Sequence, residues 1–550
     1  MRYLIVGGVA GGASVATRIR RLDERAEIVI YERTGYVSYA NCGLPYYISG
    51  VISDPGSLTV QTPEGLKSRY NIDARVHCNV VSIDRSNKKI EIEDLETGKR
   101  FEDLYDRLIL ATGAHPRMLA PIGNRVFTLK NVEDALRLKE TISKLEVKTA
   151  TVIGGGAIGL EIAENLRVLG IDVTLIEGSS HVLPNFDRDM ASYAHQVLEN
   201  NWVHLRLSSL VKGVKELDDR VVATLDSGKL TSDILIQAVG NIPNSELAKD
   251  CGLDLDSKGF IVVDSNFQTS DPDIYAVGDV ISIRSDIDGS ISSVALAGPA
   301  NREARELGTY LTKGSSNQVT GLGTSIVKVF DTAFASSGFT EERLKRANIT
   351  YDKIYLSPTD HASYYPGSSA LFMKVMFDPE SGRILGAQIA GKNGVDKRID
   401  LLAMAMKYGI LAQDLSRAEL SYAPPFGSAK DPINVVGFMV ENLRSNLVSQ
   451  FFPEDVEKIR NDSSIQLVDV RTEFEYQSGH IEGASNIPLD ELRSRLNELD
   501  RSREVCIYCQ GGVRSYTAYR ILAQNGFRCR HLSGGYGMYS VFRTDLEKYR

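Results

Sequence analysis

Residues 151–159 read TVIGGGAIG, a short apolar strand that breaks into glycine. Gly154, Gly156 and Gly159 fill all three positions of G-x-G-x-x-G, the turn that brings a helix N-terminus up to a pyrophosphate. The run LEIAENLRVLG that follows has helical spacing. DVTLIE then forms a second strand that ends at Glu177. A carboxylate there accepts from ribose hydroxyls and repels a 2′-phosphate, which favours NADH. No arginine follows directly in GSSH, and NADPH stays open.

Working outward, the opening stretch RYLIVGGVAGG (2–12) repeats the pattern. Gly7 and Gly12 hold the first and third glycine positions, and Val9 departs from the pattern in the middle. ASVATRIRRL has helical spacing, and the strand EIVIYE ends at Glu32. Alone, this unit also reads as an ordinary strand, turn and helix without a ligand. Two further segments support a ligand. LILATGAHP (108–116) is a strand with a tight exit at Thr112-Gly113. IYAVGDV (274–280) ends in Gly278-Asp279, where a carboxylate can meet a ribitol hydroxyl.

The chain has 550 residues, more than one core accommodates, so three to five domains are expected. It is 43% hydrophobic and 24% charged, with net charge −8, which argues against nucleic acid as the main partner. No apolar run is long enough to span a membrane, and the N-terminus enters a strand at once rather than a signal peptide. Six cysteines in so long a chain read as reduced thiols of a cytoplasmic protein. No metal site is expected.

The ordered set GGVAGG, LATG, GGGAIGLE and YAVGD resembles the two-dinucleotide flavoprotein disulfide reductases. The resemblance implies an α/β fold with two Rossmann-like domains. An FAD domain would span 1–115 and 245–320, and an NAD(P)H domain 116–244. An α+β dimerisation domain would follow at 321–445. It implies FAD contacts at Gly7, Val9, Ala10, Gly11, Gly12, Glu32, Arg33 and Asn41. Val80, Ala111, Thr112, Gly113, Gly278, Asp279, Ala297 and Tyr422 complete that set. The NAD contacts would be Gly154, Gly156, Ile158, Gly159, Glu177 and Gly240.

VSYANCGLPYYISG (37–50) decides the branch. Many members of that superfamily carry two cysteines four residues apart; here Cys42 stands alone, and the next cysteine is Cys78. Two chemistries remain: a sulfenate that reduces peroxide or oxygen, and a mixed disulfide with a substrate thiol. The peroxidase and oxidase branch usually carries a histidine in the first turn, where this chain has Val9 and Ala10. SYANCGLPYYISG, HASYYPG (361–367), GVDKRIDLLAMAM (394–406) and SYAPPFGSAKDPIN (421–434) instead resemble coenzyme A-disulfide reductases. By that resemblance Cys42 is the nucleophile, held as a thiolate because a thiol attacks sulfur poorly. Tyr364 and Tyr422 would donate protons to the leaving group from the partner subunit of a homodimer with shared active sites. A packed core aromatic is the alternative reading for each, and for Tyr365. Coenzyme A, as substrate or tightly bound ligand, would meet Ser14, Arg18, Arg21, Ser38, Asn41, Gln61, Arg69, Asn301 and Lys430. Arg18 and Arg21 share a helix face with Ser14, and a solvated face is the plainer reading of such arginines. Two matching positions differ in type: Arg18 stands where a family member carries an uncharged amide, and Tyr70 where it carries a lysine. Lys67 or Arg69 would then supply the charge.

Residues 446–462 read as a linker. From 463 to 550 a second α/β rhythm begins. LVDVR…GHIEGASNIP and YCQGGVRS resemble the rhodanese fold. Cys509 leaves a strand just before a helix opens. Backbone N–H groups and the helix N-terminus favour an anionic sulfur there. Cys509 would carry a persulfide, with Arg514 closing its loop. Cys506 and Cys509 also spell C-x-x-C, but Cys506 lies inside an apolar strand and reads as a small buried hydrophobe, as do Cys78, Cys251 and Cys529.

The resemblance implies hydride passage from NADH to FAD and reduction of a Cys42–substrate disulfide. The substrates would be small: coenzyme A disulfide, coenzyme A persulfide or polysulfide, with the rhodanese domain supplying sulfane sulfur and sulfide and coenzyme A as products. The alternatives are an NADH peroxidase or oxidase with an accessory sulfur-carrier domain, and a non-enzymatic sulfur carrier or redox sensor.

Overall fold

A computed structural model describes residues 1–549. The chain divides into two compact units, one of residues 1–178 with 202–323, the other of residues 179–201 with the chain from 324 onward.

The first unit contains two five-stranded parallel sheets built alike. In one, strand Arg2–Val6 lies between Glu27–Tyr31 and Arg107–Leu110. In the other, Thr149–Ile153 lies between Asp172–Ile176 and Ile234–Gln237. The central strands are apolar runs such as LIV and TVI because both faces are covered. Each central strand feeds a helix, Ala10–Leu22 or Ala157–Val168, across a glycine turn.

Sterics fix both turns. Gly7 and Gly154 adopt φ of +100° and +107°, a region that strains any other residue. A β-carbon on Gly7 would overlap the Ala111 carbonyl oxygen, and one on Gly154 the Ala238 carbonyl oxygen. A β-carbon on Gly12 or Gly159 would strike the carbonyl oxygen of its own turn's first glycine. The middle positions differ. A β-carbon at Gly156 meets nothing within 4 Å, and Val9 sits at φ −97°, so Val9 is no structural defect.

The second unit holds an antiparallel five-stranded sheet in the order Ser325–Val329, Thr332–Gly338, Ile384–Gly391, Leu371–Phe377, Asp352–Leu356. It also holds a parallel sheet in the order Gln450–Phe451, Cys529–Leu532, Glu504–Tyr508, Ile465–Asp469, Ser485–Asn486. Residues 446–462, expected as a linker, contribute structure. Gln450–Phe451 pairs with Cys529–Leu532 as the edge strand, and buried Val456 and Ile459 of the next helix join a core with Phe451. A two-residue strand is too short to show a periodic pattern.

Residues 179–201 were expected inside the nicotinamide domain but group with this second unit. Tyr193 stacks on Phe372 at 4.0 Å. His195 Nδ1 lies 2.5 Å from Asp545. Asp187 and Asp189 meet Lys374 at 2.9 and 2.8 Å, with Glu341 at 2.5 Å. Lys374 is fully buried. Burial alone would strip its proton; Asp189, Asp187 and Glu341 more than offset that and hold the ammonium charged. Burial likewise opposes the Glu341 charge, and Lys374 and Lys353 overcome it, holding its carboxyl far below the usual range. No helix among the described residues is long and apolar enough to cross a membrane.

Two outcomes follow from this packing. Gly159→Ala should fail to fold, whereas Gly156→Ala should fold and lose nicotinamide-nucleotide affinity; titration of the folded variant, with wild-type affinity as the contrary result, checks this. Lys374→Met removes the shared cation of Asp187, Asp189 and buried Glu341, leaving Glu341 only Lys353, and should destabilise the second unit by about 3–5 kcal/mol, read as a lowered calorimetric transition. The Glu341 contribution is present above the unfolded carboxyl value and is lost as pH falls below it, so the wild-type advantage over Lys374→Met should shrink in acid.

Candidate active site

The two glycine turns face chemically similar partners. Glu32 Oε2 accepts from Gly8 N at 2.8 Å, and Glu177 Oε2 accepts from Gly155 N at 2.6 Å. Both carboxylates are thus anchored where a ribose would meet them. Glu32 is further fixed by Thr34, whose N and Oγ1 each donate at 2.9 Å. The exit at Thr112-Gly113 is clamped by Asn244: Thr112 Oγ1 donates to its carbonyl at 2.7 Å, and Asn244 Nδ2 donates back to the Thr112 carbonyl at 2.7 Å. Gly278 N donates to Glu303 at 2.8 Å, and Asp279 faces Lys130 at 3.7 Å. Burial pushes the Glu303 carboxyl up to about 7. Val80 lies in the core, Arg33 is exposed, and Ala297 opens helix Ala297–Lys313. Ile158 is exposed beside the second turn, and Gly240 leaves strand Ile234–Gln237 at φ +95°. The open space at Gly156, the anchored acids and two helix N-termini fit two dinucleotides.

Cys42 sits in a tight turn, Asn41–Gly43, just before the short helix Leu44–Ser49. It is the exposed cysteine of the six, and all six are free thiols. Burial by its surroundings pushes the thiol up, the Glu161 and Asp279 carboxylates add to that, and Lys130 opposes them. The expected thiolate is therefore not prepared by the chain's own charges. A desolvated thiol beside two carboxylates keeps its proton better than a free one.

Glu161 closes the stretch GGGAIGLE. It projects from the helix of the second turn, accepts from Tyr46 OH at 3.4 Å, and burial raises its carboxyl to about 7. The signal was its place three residues after Ile158, one helical turn further along the same face. Lys130 offered no local signal.

Tyr364 and Tyr422 come together across a long sequence gap, with their hydroxyls 2.8 Å apart. Both are exposed, as is Tyr365, so none is a core aromatic. Their loops are tied beneath. Buried Arg398 donates to the Asp360 carbonyl at 2.8 Å and to Asp431 at 2.9 Å, and Ala362 N donates to the Gly427 carbonyl at 2.9 Å.

Two of the expected coenzyme A residues of the first helix, Ser14 and Arg18, meet helix Ala297–Lys313. Ser14 Oγ donates to Asn301 at 2.5 Å, and Arg18 Nε donates to Thr309 at 3.0 Å. Arg21 lies over the Tyr70 ring, 5.4 Å from its centroid. Arg20, in contrast, is buried and spends its guanidinium on five backbone carbonyls. Ser38 N donates to the Gly8 carbonyl at 2.9 Å, and Asn41 Nδ2 to the Lys130 carbonyl at 3.4 Å. Arg69 and Lys430 are exposed and Gln61 is half-buried.

In the C-terminal sheet, Cys509 follows strand Glu504–Tyr508, and helix Val513–Gln524 opens four residues later. Gly512 N donates to Cys509 Sγ at 3.1 Å. The glycines of HLSGGYG seat this loop: Tyr536 N and Gly537 N donate to the Cys509 and Gln510 carbonyls at 2.7 and 3.0 Å. Arg514 is held by two bonds to Glu475, at 2.6 and 2.7 Å, and that guanidinium holds the Glu475 carboxyl down at about 2. Glu475 lies in EFEY (473–476), a stretch with no local sign of this pairing. Cys506 is fully buried, as expected, while Cys251 is half-buried and donates to the Ala248 carbonyl.

The family model for pyridine nucleotide-disulphide oxidoreductases matches residues 1–304, its dimerisation-domain model 324–431, and the rhodanese-like domain model 452–540. A coenzyme A disulfide reductase of Staphylococcus haemolyticus is 36% identical over 80% of this chain and all of its own. The crystal structure of reduced Bacillus anthracis CoADR-RHD is 42% identical, covers 99% of this chain and 98% of its own, and superposes with a TM-score of 0.95. A NAD-dependent persulfide reductase from A. fulgidus is 35% identical over 98% of this chain and all of its own, with a TM-score of 0.91. Two nucleotide turns flanking one exposed cysteine, followed by a loop-borne second cysteine, lead to the same place as these matches: the chain belongs to the pyridine nucleotide-disulphide oxidoreductase family and carries a rhodanese domain at its C-terminal end.

Proposed function

We propose that this protein reduces coenzyme A disulfide, coenzyme A persulfide or polysulfide with electrons from NAD(P)H. Its rhodanese domain supplies the sulfane sulfur. The observation that carries the reading is the solitary, exposed, free thiol of Cys42 beside Glu161 and Asp279, with no second cysteine to close an internal disulfide. In this reading the partner sulfur arrives on the substrate.

Sulfur enters at Cys509. Its thiolate takes a sulfur atom from a sulfane donor and becomes a persulfide. The coenzyme A thiolate attacks the outer sulfur, leaves as coenzyme A persulfide and restores the Cys509 thiolate. Cys42 then attacks the sulfur bonded to the coenzyme A carbon chain. Hydrosulfide departs, and Cys42 is joined to coenzyme A in a mixed disulfide. FAD and NAD(P)H, which the glycine turns with Glu32 and Glu177 would hold, would supply the two electrons that split this disulfide into free coenzyme A and the Cys42 thiolate. The sum is coenzyme A persulfide, NADH and a proton converted to coenzyme A, hydrogen sulfide and NAD⁺.

The chain's own groups prepare this. Glu32 and Glu177 orient the two riboses, and Ser14, Arg18, Arg21 and Asn301 offer a polar, cationic face to coenzyme A. Tyr364 and Tyr422, hydroxyl to hydroxyl, form a proton donor for the departing sulfur. In this reading the chain works as a homodimer whose subunits share these sites, in a reducing, cytoplasmic setting. The alternative of a peroxidase or oxidase with a sulfur-carrier domain is disfavoured by the relatives named above, two of which, CoADR-RHD and a NAD-dependent persulfide reductase, match this chain over nearly its whole length.

Cys42→Ser should abolish NADH oxidation by coenzyme A persulfide while the protein stays yellow with FAD. Cys509→Ser should remove sulfur transfer from thiosulfate or polysulfide yet spare reduction of preformed coenzyme A persulfide. Equal loss of both activities in Cys509→Ser would refute the division of labour.

A further inference from the structure

Behind Cys509 lies a buried polar chain that the sulfur-transfer scheme does not use. Ser515, in the first turn of helix Val513–Gln524, is fully buried, and its Oγ lies 3.5 Å from Cys509 Sγ. The same Oγ is 2.9 Å from the Gly512 carbonyl oxygen and 3.4 Å from His531 Nδ1. His531 is buried on strand Cys529–Leu532, paired with Ile507 of the strand that delivers Cys509. The rings of Tyr516 and Tyr519 wall the imidazole on the helix side. Buried hydroxyls and imidazoles persist in cores when they make hydrogen bonds, and here the bonds run in a line to the sulfur.

Counting protons gives the chain its direction. Burial pushes the His531 imidazole down to about 4, so at neutral pH it carries one N–H and one lone-pair nitrogen. Ser515 has one proton to donate. While Cys509 is a thiol, its S–H donates to Ser515 Oγ and the Ser515 hydroxyl donates to the Gly512 carbonyl. Once Cys509 is an anion, the sulfur is an acceptor only. It then takes the Gly512 N–H and needs a second donor. An imidazole tautomer with its proton on Nδ1 occupies a lone pair of Ser515 Oγ and leaves the hydroxyl proton to swing to sulfur.

We propose that His531 is a positioning residue of the sulfur-transfer site, holding the Ser515 hydroxyl so that it donates to the Cys509 sulfur whenever that sulfur is anionic. The inference rests on the reading of Cys509 as sulfur carrier. The other charged groups about the loop are already matched. Arg514 is paired with Glu475, and Asp469 with Arg471, whose Nη1 also donates to Gln510 at 3.1 Å. The hydroxyl is therefore the adjustable donor.

The test is the pH dependence of kcat/KM for sulfur transfer from thiosulfate to cyanide by the full-length, FAD-loaded protein. Its ascending limb reports the free-enzyme thiol. Ser515→Ala and His531→Phe should each move that limb up by about one pH unit, the size of one hydrogen bond to a charged group. Ser515→Thr, which keeps the hydroxyl, and His531→Gln, which keeps an N–H donor, should restore it to within a few tenths. A merely structural role would lower stability and leave the limb in place. A wild-type limb in Ser515→Ala overturns the proposal, and so does a wild-type limb in His531→Phe or, should that variant fail to fold, in His531→Leu. Absence of Cys509-dependent sulfur transfer in the wild-type protein instead overturns the sulfur-carrier reading beneath it.

Discussion

A backbone carbonyl oxygen and a β-carbon cannot share one place, and the functional half of this molecule hangs on that exclusion. Gly7 and Gly12, and again Gly154 and Gly159, let a strand, a turn and a helix pass within contact of the next strand's carbonyl. With the turn so tight, the helix N-terminus points at the space where a pyrophosphate belongs, and an acid at the next strand end reaches back to a turn N–H. The second helix then carries Glu161 toward Cys42. Turn geometry, nucleotide site and cysteine environment are successive consequences of one steric rule applied twice.

The thiol of Cys42 shows what the polypeptide supplies and what it leaves to bound groups. Its surroundings favour the protonated form. Glu161, whose carboxyl rises to about 7, adds negative charge nearby only as it ionises. Cys509 is treated differently: a Gly512 N–H and a buried hydroxyl already face its sulfur. One cysteine is given a backbone donor by its own loop, and the other lies in the field of carboxylates that Lys130 opposes. That contrast suits a sulfur carrier on one side and a thiol that works against bound cofactor on the other.

The nucleotide turns were legible because a short contiguous stretch carries the whole steric requirement. The loop of Cys509 was legible for the same reason. Long-range pairings were not. Glu161 shares a helix face with Ile158, but nothing local ties it to Tyr46, ties Lys130 to Cys42, or ties Glu475 to Arg514. Helix Arg188–Asn200 has an apolar face, and an apolar face does not say which core it joins; Asp187, Asp189 and His195 settle that through Lys374 and Asp545. The supposed linker hid a two-residue edge strand, below the length at which alternation can be read. The aromatic pair Tyr364–Tyr422 lies outside the core, with both rings exposed and their hydroxyls sharing a hydrogen bond.

The central claim is that the missing second sulfur arrives on coenzyme A. The most direct measurement is steady-state NADH oxidation by the FAD-loaded protein with coenzyme A disulfide, coenzyme A persulfide, polysulfide and hydrogen peroxide in parallel. The account predicts fast turnover with the coenzyme A substrates and little with peroxide. Fast turnover with peroxide and none with any coenzyme A substrate would contradict it.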